Sequence, residues 1–146
     1  MAIVQRLALL FFVLLVACGS TKLHVVEPPA RRLGGSFVVK SVDVDPRINA
    51  ESAREDAASF ERELRGSLAA LARDGAGDER FVVEAHIVGY DATMDVAVDV
   101  LDMKGKRLLR IEVSAEGSKR GWTGAARESA RFDCIEAIVN YLHEER

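Results

Sequence analysis

Three stretches of this chain alternate apolar and polar residues, and they follow one another with only short breaks. Phe81, Val83, Ala85 and Ile87 fall on one side of the run FVVEAHIVGY, against Val82, Glu84, His86 and Tyr90 on the other. In MDVAVDVL, Met94, Val96, Val98 and Val100 oppose Asp95, Ala97 and Asp99. Between Arg107 and Glu116 the inward set is Leu109, Ile111, Val113 and Ala115. Successive side chains of a strand point to opposite faces, so each run offers one apolar face. Lys104-Gly105 marks a tight turn. Three such strands form an antiparallel meander with one face to bury.

Two helices are expected to cover that face. From about Ala50 to Arg73, residues Ala53, Ala57, Phe60, Leu64, Leu68 and Leu71 recur at steps of three and four. Ser52 with Glu55 fits a capping box, and Asp74-Gly75 supplies a stop. From Ala125 to Arg146, Ala130, Cys134, Ile138 and Leu142 fall four apart. The Val-rich run SFVVKSVDVD, Ser36 to Asp45, adds a fourth strand ahead of the first helix. The expected fold is α+β: a mainly antiparallel sheet of about four strands with two helices on one face, in the order β-α-β-β-β-α.

The outward faces hold one polar constellation. A register that keeps all three apolar faces inward sets His86 opposite Asp99 and Asp99 opposite Arg110. A His–Asp–Arg row has three readings. It is a cross-strand charge ladder, each pair worth well under about 1 kcal/mol in water. It is a docking face, where charge orients a partner. Or His86 is a base oriented by Asp99, as in a hydrolase, although Ser114 is the only hydroxyl on that face of the three strands. Trp122, the single tryptophan, follows Lys119-Arg120 in a Gly-rich loop. It either folds over the sheet edge or anchors a partner. Asp43 and Asp45 share a strand face but lack the oxygen ligands that a hard cation needs.

The chain opens MAIVQRLALLFFVLLVAC. Arg6 is the only charge before Cys18, and Leu7 to Ala17 is an apolar run of 11 residues. A membrane-crossing helix needs about 20. A charged start, a short apolar core and small residues at the end describe a secretory signal peptide over residues 1–17. Leu15-Val16-Ala17-Cys18 resembles the lipobox of bacterial lipoproteins at all four positions. The resemblance implies cleavage before Cys18, a diacylglyceryl group on its sulfur and an acyl chain such as palmitate on its amine. Two or three chains anchor stably where one does not. Gly19 stands where Asp marks inner-membrane retention in proteobacteria, so the sorting rule implies the outer membrane, facing the periplasm. Residues 18–35, with Pro28-Pro29 and Gly34-Gly35, read as the lipidated cysteine and a flexible tether, and residues 36–146 as a single domain.

Cleavage leaves 129 residues, enough for one core, with 19 basic against 23 acidic residues. A mildly acidic chain argues against nucleic acid as partner. With Cys18 carrying lipid, Cys134 has no partner for a disulfide, and no cysteine-based metal site is available. No motif calls for a cofactor. In element order, residues 36–146 loosely resemble small envelope lipoproteins such as the lipopolysaccharide-assembly lipoprotein, and domains of periplasmic assembly factors. That resemblance carries over no functional residue. The first expectation is a non-enzymatic accessory or assembly factor that binds another envelope component, with the outer sheet face of His86, Asp99 and Arg110 or the Trp122 loop as the contact. A small-molecule or lipid-binding module is the alternative. It requires an apolar cavity between helices and sheet.

Overall fold

The computed structural model describes residues 21–73, 77–117 and 121–146. Strands β1 (Thr21–Glu27) and β2 (Gly35–Val44) precede helix α1 (Glu51–Ala72). Strands β3 (Glu79–Asp91), β4 (Thr93–Leu101) and β5 (Arg107–Glu116) follow, and helix α2 (Gly124–Glu144) closes the chain. They make one five-stranded sheet in the order β1-β5-β4-β3-β2, with both helices on one face.

The α+β class and the β3-β4-β5 meander stand, but the sheet has five strands and is mixed. Two expectations are corrected. Residues 21–27 are not tether: β1 pairs antiparallel with β5 and forms one edge. Its pattern is short, with Leu23 and Val25 set against Lys22 and His24 directly before Pro28-Pro29, so the period is easily lost among linker residues. Both apolar side chains pack on the core, opposite Val113 and Ile111. Secondly, β2 runs parallel to β3 at the other edge. Helix α1 returns the chain to the starting end of the sheet, and such a crossover makes the next strand parallel.

The core is the space between helices and sheet. All six expected apolar residues of α1 are buried, as are Ala130, Cys134, Ile138 and Leu142 of α2. The inward residues of β3, β4 and β5 join them, with Phe81, Val98 and Ile111 fully enclosed. Helix α1 begins one residue before the expected capping box. Ala50 occupies the N-cap with no side-chain bond, so Ser52 lies within the helix. In α2 the Thr123 hydroxyl accepts from the Ala126 amide at 3.2 Å, a true side-chain cap.

A bulge in β3 decides what each face carries. The β3–β4 hairpin closes on Asp91 paired with Thr93, with Ala92 at its tip in the left-handed region (φ 63°). Carried straight down, that register would set inward residues of β3 against outward residues of β4. The irregularity between Ile87 and Gly89 restores the match. An extra residue in one strand reverses its alternation. Tyr90, expected on the outer face, therefore turns to the helices, while Gly89 turns outward beside Asp95. A Cβ on Gly89 would collide with that carboxylate.

Candidate functional site

The hairpin tip and the bulge together move the expected row by two residues. His86 pairs with Ala97, and Asp99 pairs with Glu84 on β3 and Arg110 on β5. The Asp99–Arg110 pairing is as expected; the His86–Asp99 pairing is not. A pairing of His86 with Asp99 requires a two-residue turn and an unbroken ladder, whereas the hairpin closes round Ala92 alone and β3 bulges below it.

The three side chains are still neighbours, now on a diagonal. Arg110 Nη1 donates to both Asp99 carboxylate oxygens at 3.3 Å. Arg107 Nη1 stands 3.8 Å from Asp99, and His86 Nε2 stands 4.0 Å away. The other ring nitrogen, Nδ1, is 3.5 Å from Asp43 on β2. His86 thus lies between two carboxylates from different strands. Lys40 pairs with Glu84 at 3.1 Å. Asp99 is the one polar residue of the described chain that is buried, its side chain 11% exposed beneath its neighbours. Asp45 parts from Asp43: it sits past the end of β2, held well below the usual carboxylate range, at about 2, by hydrogen bonds from Arg47.

A base needs its nucleophile within hydrogen-bond reach. Ser114 Oγ instead donates to Asp95 Oδ1 at 2.5 Å, and Thr93 Oγ1 contacts the same carboxylate at 3.2 Å. Among the described residues His86 faces two acids and has no hydroxyl partner. The arrangement can orient a charged partner. His24, expected in the tether, belongs to the same open face, paired across to Glu112.

Trp122 is half-buried against the core. Its ring meets Tyr90 edge-on, centroids 5.3 Å apart at 84°, and its Nε1 is buried with no acceptor among the described residues. Lys119 and Arg120 lie outside the described residues, as does Cys18. Tyr90 in turn donates to Asp56 of α1. Asp56 also accepts from Arg127 and Arg131 of α2, both at 3.2 Å, and Arg131 reaches Glu63 at 3.0 Å. This network ties α1, α2 and β3 together. The sequence hid it, because the bulge that brings Tyr90 inward leaves no mark in the alternation. Burial, followed by the Asp56 bond, pushes the Tyr90 hydroxyl above its ordinary pKa.

The space between helices and sheet, where an apolar ligand was considered, is occupied by side chains such as Phe60, Leu64 and Phe81. An apolar concavity lies instead on the outside of the helical layer. It is a groove of about 670 Å³ between α1 and α2, formed by Gly66 and Ser67 on one side and Phe132, Ile135 and Val139 on the other. Phe132 is 64% exposed.

Cys134 is fully buried, with its thiol 3.6 Å from the Met94 carbonyl. Desolvation pushes its pKa up to about 12 from an ordinary 9.0. The thiolate is the reactive form, so the native protein is expected to resist thiol reagents and to react on unfolding. The folded state keeps its proton to higher pH than the unfolded state does. Its contribution to stability is therefore whole below pH 9 and falls as pH rises from 9 towards 12. Thiol-reagent kinetics, native against denatured, check the first point. Urea midpoints at pH 8 and 10.5, wild type against Cys134→Ala, check the second: the wild-type advantage should shrink at the higher pH.

No protein-family model matches the chain, and no curated protein matches it in sequence. Among solved structures the fold is similar to that of the PelC L103M dodecamer from Paraburkholderia phytofirmans, with a TM-score of 0.55. The match covers 84% of this chain and 97% of that one at 16% identity, a likeness of fold.

Proposed function

We propose that this chain is a lipid-anchored protein of the bacterial cell envelope, held on the periplasmic side of the outer membrane, and that its domain acts by binding an envelope protein. The anchoring rests on Leu15-Val16-Ala17-Cys18 at the end of a short apolar run. The observation that carries the binding half is the outer sheet face. The helices lie on one side of the sheet, and the other side carries His86 and Arg110, both part-exposed, around the buried Asp99 carboxylate. Such an arrangement fixes the orientation of a partner more than it adds affinity. The fold neighbour is a dodecamer, which favours a domain that works within an assembly. A metal, a cofactor and nucleic acid have no part in this reading.

The helical groove favours a second reading, in which an apolar ligand or lipid chain lies against Phe132. Mass spectrometry of the protein released gently from membranes would detect such a molecule. The third reading, hydrolysis by His86 with Asp99, lacks support from the position of Ser114.

Anchoring is tested by fractionating cells that express wild type or Cys18→Ala. Wild type is expected in the membrane fraction with the mass of added acyl chains. Cys18→Ala is expected to lose both, with membrane association reduced at least about tenfold, since the lipid supplies the affinity. Equal membrane association of the two would overturn it.

A further inference from the structure

We infer that the bilayer surface is itself a neighbour of the folded domain, which stands on lipid by the end of the sheet where β1 begins. The inference rests on the lipid reading of Cys18. Only Gly19 and Ser20 separate that cysteine from Thr21, the first residue of β1. Chain reach is at most about 3.6 Å per residue, so three steps span about 11 Å. Thr21 is no loose end. It pairs with Ala115 of β5, which pairs with Met94 of β4, which pairs with Tyr90 of β3. Four strands share that end, and an anchor at Thr21 therefore fixes the body of the domain, with no tether to hold it away.

The connections define which surface is turned to the lipid. The β3–β4 hairpin at Asp91-Ala92-Thr93 and the starts of α1 and α2 lie at the Thr21 end. The β4–β5 turn, Asp102 to Lys106, and the carboxyl ends of the helices lie at the other. There Leu33 N–H donates to the Glu145 carbonyl at 2.8 Å. Nine residues of β4 separate the two hairpins, about 30 Å along the strand. The exposed side chains of β1 are Lys22, His24, Val26 and Glu27, three of them polar, so the strand offers no continuous apolar surface on which the domain could lie flat. In this pose the outer sheet face rises from the membrane and is open to a partner beside it.

The test uses the full-length lipidated protein in vesicles of phosphatidylethanolamine and phosphatidylglycerol with an energy acceptor on the headgroups. A fluorophore is placed on Asp91→Cys or on Lys104→Cys, both exposed positions. Cys134 is buried and Cys18 carries lipid, so neither competes for label. Transfer from position 91 is expected to exceed that from position 104 at least twofold. Ten Gly/Ser residues inserted after Ser20 should erase the difference. Equal transfer from both positions, or a difference that survives the insertion, overturns the inference. An intact mass without acyl chains overturns the lipid reading on which it depends, and is recognised separately from the transfer result.

Discussion

Replacing Phe60 by Ala should cost about 3–5 kcal/mol, the range for removing a fully buried aromatic ring. Phe60 is 0% exposed and lies midway along α1 in the main core. The surroundings cannot collapse into the space, because the sheet below is rigid and the neighbours are fixed on a helix. A domain of this size has about 5–15 kcal/mol of stability in all. The variant should therefore unfold at least about 10 °C lower, or not fold at 37 °C. Urea unfolding followed by circular dichroism measures it. Phe60→Leu, which keeps most of the volume, should cost less than half as much. A loss under about 1 kcal/mol for the alanine variant would mean that α1 does not pack as described.

Asp56→Ala should be the most damaging change to a polar side chain. The carboxylate is 14% exposed and holds Tyr90, Arg127 and Arg131, the last of these 12% exposed. Removing one partner strands the others, which costs more than the pairs themselves contribute. Arg131 keeps Glu63, so the expected loss is about 2–4 kcal/mol, near the lower part of the range for a broken buried pair. Tyr90 would lose its acceptor, and Trp122, packed on its ring, reports that locally. Tryptophan emission should shift to the red in the folded variant. Glu55→Ala, one residue away and exposed, is the control and should change stability by under about 0.5 kcal/mol. If both variants behave alike, the network contributes nothing to holding the helices on the sheet.

How much of this could be read from the residues alone varies with range. Period three-to-four apolar spacing located both helices and named their buried residues, because a helix face depends only on neighbours within two turns. Alternation located β3, β4 and β5 for the same reason. Three features escaped. Strand β1 has only two inward apolar residues, Leu23 and Val25, and they become a strand only because β5 offers them a register. The parallel pairing of β2 depends on the path of α1, which spacing within the helix does not encode. The bulge at Val88 depends on a one-residue hairpin tip, Ala92, that carries none of the usual Gly or Asn turn chemistry. Tip and bulge each displaced the His86 pairing by one residue, and the bulge turned Tyr90 to the opposite face. The candidate residues His86, Asp99 and Arg110 were nevertheless brought together, since long side chains reach a diagonal neighbour. Trp122 was placed between two alternatives by sequence, and its contact with Tyr90 follows from the same bulge.

The account's central claim is an anchored domain that binds a protein through its open sheet face. The most direct measurement is photo-crosslinking in living cells from Glu112, an exposed position on that face, with Glu55 on α1 as the control. Captured proteins would be identified by mass spectrometry, in wild-type and Cys18→Ala backgrounds. The account predicts one dominant envelope protein captured from position 112, little from position 55, and loss of that capture when the lipid is absent. Equal capture from both faces, or no protein captured from the sheet face of the membrane-bound form, would contradict it.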